Sequence, residues 1–421
     1  VKLDAHKVHV VHRPIDARIR PPGSKSETIR ALTAAALAEG RSHLYAALDA
    51  DDTHAMIDVL RVLGVDLVTA SEPWSVDGNG GRLEPAATPL DARESGLTAR
   101  IAMALAASCD GANVLKGHGR LPHRPMSGLI DALRDLGVVV RGEGLPIEIT
   151  GHGRLWGGSI PVDCSATSQF ATALMLLAPI MQEPTVLEPR GMAGSYGYLE
   201  MTAATMRRFG ASIDRTLTGY EIANTGYRPT DVVIDPDASA AVYPLVAAAI
   251  TGGRVVIDGL GLGDRQPDML VVTHLEAMGC DVSWDEHRMS LVGRESSLSP
   301  IDADMSEAPD GAVALAVACL FADGASRLSG LGSLRHKESD RMMALSEGIG
   351  RLGGRVERHG DGLTVLPARL KGAVIDPHGD HRIAMALAVI GLVVSDVTIM
   401  SPGVVDKTWP GFWAMLDDLS R

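Results

Sequence analysis

The sequence predicts an α/β protein of two pseudo-symmetric domains. Three observations lead there: a recurring helix-end motif, an interleaved series of apolar helices, and a length too great for one core. The motif is two apolar residues three apart, followed by Gly. It occurs at Leu60/Leu63-Gly64, Leu133/Leu136-Gly137, Met206/Phe209-Gly210, Leu275/Met278-Gly279 and Ile349/Leu352-Gly353. The glycines step by 73, 73, 69 and 74 residues. A truncated sixth copy closes on Leu416/Leu419-Ser420. Each of the first five copies reads as an amphipathic helix stopped at a Gly C-cap. Strand-like runs follow: VDLVTA, VVVRG, ASIDRT, CDVSWD and GRVERH.

The second series comprises Ala-rich helices starting near Ser24, Ser95, Thr167, Ser239, Asp310 and Asp380, in steps of 71, 72, 72, 71 and 70. Bodies such as RIAMALAAS and VALAVACLFA are apolar on nearly all sides, which demands burial. The unit is therefore about 70 residues: a buried helix, an exposed helix and several strands. Six such units over 421 residues exceed one core, and two groups of three is the natural division.

Composition narrows the partners. A net charge of −13 argues against nucleic acid or an acidic membrane, so an anionic ligand needs a local cluster of basic groups. The four cysteines are far apart and form no CxxC pair, which fits a reducing cytoplasm and neither a disulfide scaffold nor a zinc site. No signal peptide or membrane-length apolar run is evident. His6, His9 and His12 read as scattered terminal histidines, and no metal is assigned to them.

The buried helix starts carry the polar chemistry. A helix N-terminus presents unpaired N–H groups and partial positive charge, and so favours anions. Two facing domains would focus several such ends on one cleft. The first start, PGSKSETIR, offers Lys25, Ser26 and Arg30, with Ser24-x-x-Glu27 as a capping box. The second brings Gly96, where backbone can approach a ligand, and Arg100, read as a structural ion-pair partner. The third supplies Thr167, Ser168 and Gln169. Asp310 at the fifth reads as a cap unless other acids join it, and Arg382 at the sixth needs an anionic partner. Loops add Arg124, Ser195, Tyr198, Ser333, Lys337, Glu338, Arg341 and Lys407.

With these residues assembled, the chain resembles the 5-enolpyruvylshikimate-3-phosphate synthases (3-phosphoshikimate 1-carboxyvinyltransferases) over essentially its whole length. PGSKSETIRAL, SGLTAR, HRPMSGLIDAL, SATSQF, GSYGYLEMT, APDGAVALA, LRHKESDR, GDHRIAMALA and DKTWPGF occur in the family's order and spacing. The resemblance implies the two-domain enolpyruvyltransferase fold, an inside-out α/β barrel of six βαβαββ repeats, three per domain. It implies residues 1–20 with 235–421 in one domain and 21–234 in the other, with the active site in the cleft. It implies transfer of the enolpyruvyl group of phosphoenolpyruvate (PEP) to the 5-hydroxyl of shikimate 3-phosphate. Phosphate leaves, and the product leads to chorismate and the aromatic amino acids. The implied protein is a cytoplasmic monomer with no metal or organic cofactor.

By matching position, Asp310, Glu338 and Lys25 are the catalytic candidates. Asp310 handles the 5-hydroxyl beside Lys337, and Glu338 serves the PEP methylene carbon. Shikimate 3-phosphate is expected at Lys25, Ser26, Arg30, Thr167, Ser168, Gln169, Ser195, Tyr198, Asp310, Ser333 and Lys337. PEP is expected at Lys25, Gly96, Arg124, Gln169, Glu338, Arg341, Arg382 and Lys407. Guanidinium forks suit carboxylate and phosphate. Two departures stand out. Leu97 and Ile101 add bulk beside Gly96, from which low glyphosate sensitivity is expected, and Ser333 replaces a frequent Asn. The sister UDP-N-acetylglucosamine transferases are disfavoured, because GHGRLPHRP lacks their reactive Cys and Ser26 follows Lys25. A non-catalytic anion-binding descendant is disfavoured because Asp310, Glu338 and Lys25 are all present.

Overall fold

A computed structural model of the protein describes residues 4–192 and 194–420. The chain forms two compact units: Gly23–Asp235, here the N-terminal unit, and Val1–Pro22 with Pro236–Arg421, the C-terminal unit. Each has its own apolar core, running from Ile29 to Ile234 in one and from Val8 to Leu419 in the other.

Helices of two kinds alternate along each unit. The N-terminal unit contains α1 (Lys25–Leu37), α2 (Asp51–Val62), α3 (Gly96–Ala107), α4 (Ser127–Asp135), α5 (Gln169–Leu177) and α6 (Tyr196–Arg208). The C-terminal unit contains α7 (Ala238–Thr251), α8 (Leu270–Ala277), α9 (Ala312–Cys319), α10 (Arg341–Arg351), α11 (His381–Ile390) and α12 (Phe412–Leu419). The odd-numbered helices are buried nearly throughout, including every residue of α3, α9 and α11. Their Ala content lets them pack closely, α3 against α5 and α9 against both α7 and α11. Ile29 is wholly buried in this packing.

The five glycine stops of the repeat have one physical cause. Gly64, Gly137, Gly210, Gly279 and Gly353 all take positive φ, between 77° and 99°. In each, the next residue's N–H returns to the carbonyl of the motif's first apolar residue. The bonds run from Val65 to Leu60, Val138 to Leu133, Ala211 to Met206, Cys280 to Leu275 and Gly354 to Ile349, at 2.9–3.1 Å. This is the Schellman closure, and Gly enters the left-handed region without a Cβ clash.

The strands complete each repeat in the same way. Asp110–Lys116 runs parallel to Leu90–Asp91 and antiparallel to Ile147–His152, which pairs in turn with Val139–Arg141. The third repeat repeats this order with Gly158–Asp163, Thr185–Arg190, Tyr220–Ile222 and Ile213–Arg215. The first sheet is closed by a late strand, Val232–Val233, parallel to Glu39–Tyr45. In the C-terminal unit the early strands do this work. Asp16–Ile19 lies parallel to Arg254–Asp258, and Ala5–Lys7 lies antiparallel to Thr398–Met400.

Candidate active site

In the N-terminal unit the helix starts are tied into a ring. Lys25 opens α1 and pairs with Asp52 in the first turn of α2 at 3.0 Å. The Asp52 carbonyl accepts the Thr98 hydroxyl of α3 at 3.3 Å. Arg100, one turn on, donates to the carbonyls of Gly96 and Pro125 and lies over the Phe170 ring of α5 at 5.9 Å. Thr172 of α5 meets Thr202 of α6 at 3.3 Å. Arg30 of α1 closes the ring, donating to the Thr202 hydroxyl at 2.8 Å and to the Tyr198 carbonyl at 3.3 Å.

Arg30 is the electrostatic oddity of this ring. It is 2% exposed, and its third bond goes to the Ser26 carbonyl. All three acceptors are neutral oxygens. Burial drives its ordinary value down to about 10, and Tyr198 and Glu27 offset only part of that. A buried cation with a neutral shell is electrostatically receptive to an incoming anion.

The other expected binding residues of this unit lie at the same helix starts. A Cβ on Gly96 would sit 2.6 Å from both Arg124 Nη atoms, so the glycine admits that guanidinium to the start of α3. Ser168 caps α5, Thr167 Oγ1 accepts the Gln169 N–H, and Gln169 Oε1 is buried without a hydrogen-bond partner. Ser195 caps α6 at φ 65°, left-handed for a non-glycine residue. Leu97 and Ile101 lie in the core behind Gly96. Ser24 Oγ accepts the Glu27 N–H at 3.4 Å, while the Glu27 carboxylate takes Arg208 and the Asp235 N–H.

In the C-terminal unit the centre is an acid–cation cluster. Arg341, 1% exposed, reaches Asp310 at 2.9 Å, Glu338 at 2.6 Å and Asp380 at 2.7 Å. Asp310 also takes Lys337 at 3.0 Å and Arg382 at 3.4 Å. Asp380 caps α11 through the Arg382 N–H and receives the Ser339 hydroxyl. Burial pushes the Asp310 carboxyl up, but Lys337, Arg382 and Arg341 outweigh it and hold the group far below the carboxylate range. Burial opposes charge on Arg341, and its three carboxylates outweigh that too. Lys407 ends the short turn Pro402–Lys407 beside α11, and Ser333 lies on the turn Gly332–His336 leading to Lys337.

Several sequence readings change. The cap of α9 is Gly311, not Asp310, because the Asp310 carboxylate is drawn to three cations. The fourth start is capped by Asp237, which accepts the Ala240 N–H, so Ser239 lies inside the first turn. Arg341 stays an expected PEP ligand, and its guanidinium also meets three carboxylates that a bound anion has to share. Two residues escaped the sequence reading altogether. Asp52 holds Lys25, and its signal was the acidic first turn DDTH of α2. Asp268 is buried beside α7, and QPD gave no local sign of it.

Comparison with known proteins now bears on this geometry. The family model of EPSP synthase (3-phosphoshikimate 1-carboxyvinyltransferase) matches residues 11–416. The chain belongs to the EPSP synthase family. Among curated EPSP synthase relatives, the 3-phosphoshikimate 1-carboxyvinyltransferase of Methanosphaerula palustris is 38% identical over 412 residues, covering 96% of this chain and 97% of that one. The enzyme of the same name from Escherichia coli is 36% identical, covering 97% of each chain. An EPSP synthase structure from Acinetobacter baumannii superposes with a TM-score of 0.82 at 24% identity, covering 98% of this chain and 97% of that one. The enolpyruvyl transferase NikO from Streptomyces tendae gives 0.74 at 18% identity, covering 99% and 97%. The two structures show that the fold is the two-domain EPSP synthase fold. Among the described residues, no helix is long and apolar enough to cross a membrane.

Proposed function

We infer that this chain transfers the enolpyruvyl group of PEP to the 5-hydroxyl of shikimate 3-phosphate and releases phosphate. One observation carries the reading: Arg341 joins two carboxylates, Asp310 and Glu338, on a single guanidinium. The reaction needs two proton-handling groups close together. In the addition step the 5-hydroxyl oxygen bonds to C2 of PEP as the C2–C3 π bond opens, the hydroxyl proton goes to Asp310, and Glu338 in its protonated form delivers a proton to C3. In the elimination step the C2–O bond to phosphate breaks, a C3 proton returns to Glu338, the double bond is restored, and the Asp310 proton leaves with the phosphate.

Both substrates are anions. Arg30, Ser26, Ser168, Gln169, Thr167, Ser195 and Tyr198 hold shikimate 3-phosphate, with Ser333 and Lys337 from the C-terminal unit. Lys25, Gly96, Arg124, Arg341, Arg382 and Lys407 hold PEP. Asp310 is a poor base while three cations grip it. Substrate carboxylate and phosphate compete for those cations and return basicity to Asp310 as they bind.

The test is phosphate release from PEP with either shikimate 3-phosphate or UDP-N-acetylglucosamine as acceptor. Turnover with the first and none with the second is expected. The reverse result would assign the chain to the sister chemistry.

A further inference from the structure

Lys407 is carried by a short turn, Pro402–Lys407, and is buried at its end. Six residues is long for a 3₁₀ turn, whose own hydrogen bonds are poorly aligned, so its place depends on outside holds. Just before it, the strand Thr398–Met400 pairs with Ala5–Lys7. The Ser401 N–H donates to the Asp4 carbonyl at 2.9 Å, with Ser401 at φ 49°, left-handed for a non-glycine residue. The Pro402 carbonyl accepts the indole N–H of Trp413, on α12, at 2.9 Å. At the far end the Trp409 N–H returns to the carbonyl of buried Val405 at 2.8 Å.

The Trp413 indole is itself locked. It stacks on the His6 ring with centroids 4.2 Å apart and planes at 27°, and it meets the Phe412 ring edge-on at 5.0 Å. His6 Nε2 lies 3.2 Å from Asp417 Oδ1, one helical turn beyond Trp413. Phe412 meets Trp409 at 5.7 Å and Tyr243 of α7 at 6.0 Å. Rotating the indole would break both ring contacts, so its N–H is aimed at one carbonyl.

We propose that Trp413 is a positioning residue: its indole N–H, braced by His6 of the N-terminal strand, fixes the start of the Pro402–Lys407 turn and so places the Lys407 ammonium for the PEP anion. The inference rests on the reading that Lys407 binds PEP. A lysine is a point charge on a flexible stem, so what it contributes depends on where the backbone holds that stem. Trp413→Phe keeps a ring in the stack and removes the N–H. The KM for PEP should rise roughly fivefold, the scale of one net hydrogen bond, with kcat and the KM for shikimate 3-phosphate held within about twofold. His6→Leu loosens the indole and keeps its N–H, so the KM for PEP should rise only about twofold.

The experiment is a double-mutant cycle on the full-length protein: unsubstituted, Trp413→Phe, Lys407→Met and both together. KM for each substrate and kcat are read from phosphate release. The expected result is a Trp413→Phe penalty on PEP that vanishes once residue 407 is Met, since no ammonium is left to place. A penalty of the same size in both backgrounds overturns the proposal, as does no penalty or an equal rise in the KM for shikimate 3-phosphate. Each of these marks a merely structural ring. If Trp413→Phe does not fold, His6→Leu takes its place in the cycle under the same criteria. Failure of the functional reading looks different. Lys407→Met with an unchanged KM for PEP removes Lys407 from the PEP site, and the proposal with it. If the unsubstituted protein releases no phosphate, calorimetric titration of PEP alone into the same four proteins decides the role of Trp413 by the same cycle.

Discussion

Arg30 and Arg341 are equally buried and sit in units built from the same repeat, yet their surroundings are opposite. Arg30 is held by three neutral oxygens, and burial drives it down to about 10. Arg341 is held by three carboxylates and driven up. One scaffold of buried helices, with starts gathered inside each unit, thus supports two electrostatic solutions. The N-terminal solution leaves charge unanswered and suits binding. The C-terminal solution answers charge internally and keeps acids beside cations, which suits proton transfer.

The largest expected effect breaks the comparison on the stability axis. Arg341→Met strands the buried Asp380 carboxylate, removes one cation from Asp310 and Glu338, and should cost about 3–5 kcal/mol, read as a lowered calorimetric transition with loss of turnover. Arg30→Met leaves only neutral oxygens behind. It should change stability by less than about 1 kcal/mol, because a buried cation without a counter-ion contributes little. Equal destabilisation by the two substitutions would refute the distinction.

Next is the chemical axis. Asp310→Asn and Glu338→Gln should each lower kcat at least ~100-fold, with substrate dissociation constants moved only a few-fold. Near-normal turnover in Glu338→Gln would remove that residue from the mechanism. Arg30→Met should do the converse. Shikimate 3-phosphate binding should weaken roughly 10- to 100-fold by calorimetry, the scale of a charge-assisted hydrogen bond, while kcat at saturation holds within a few-fold.

What could be read in advance follows the same line. The repeat, the glycine stops and the buried helix starts were legible because each arises within a few neighbouring residues. Leu60, Leu63 and Gly64 specify a Schellman end on their own. Lys25, Ser26 and Arg30 were legible as polar residues in the first two turns of an apolar helix. Partner choice was not. Arg341 meets Glu338 within LRHKESDR, three residues away, but nothing local says that it also faces the acids at 310 and 380. Asp52 and Asp268 were missed for the same reason. Their importance lies in what packing sets against them, the Lys25 ammonium in one case and the Ser239 hydroxyl with the start of α9 in the other.

The smallest effect compares two glycines at helix starts. Gly96 is the first residue of α3, and Gly311 is the cap of α9. A methyl at 96 meets the movable ends of Arg124 and Arg100, at 2.6 and 2.7 Å. A methyl at 311 meets Val271 Cγ2 at 2.6 Å and Asp268 behind it. The first obstacle is the far ends of two long side chains, of which Arg124 is the one that gives way, whereas the second is core. Gly96→Ala should therefore leave stability nearly unchanged and weaken PEP binding about fivefold, roughly 1 kcal/mol, as Arg124 is displaced. Gly311→Ala should lower stability by about 1–2 kcal/mol through overpacking. Thermal melts and PEP titrations on both proteins separate the outcomes. If Gly96→Ala lost stability and kept PEP affinity, Arg124 would be a packing residue, and the N-terminal unit's claim to the anion would rest on Lys25 and Arg30.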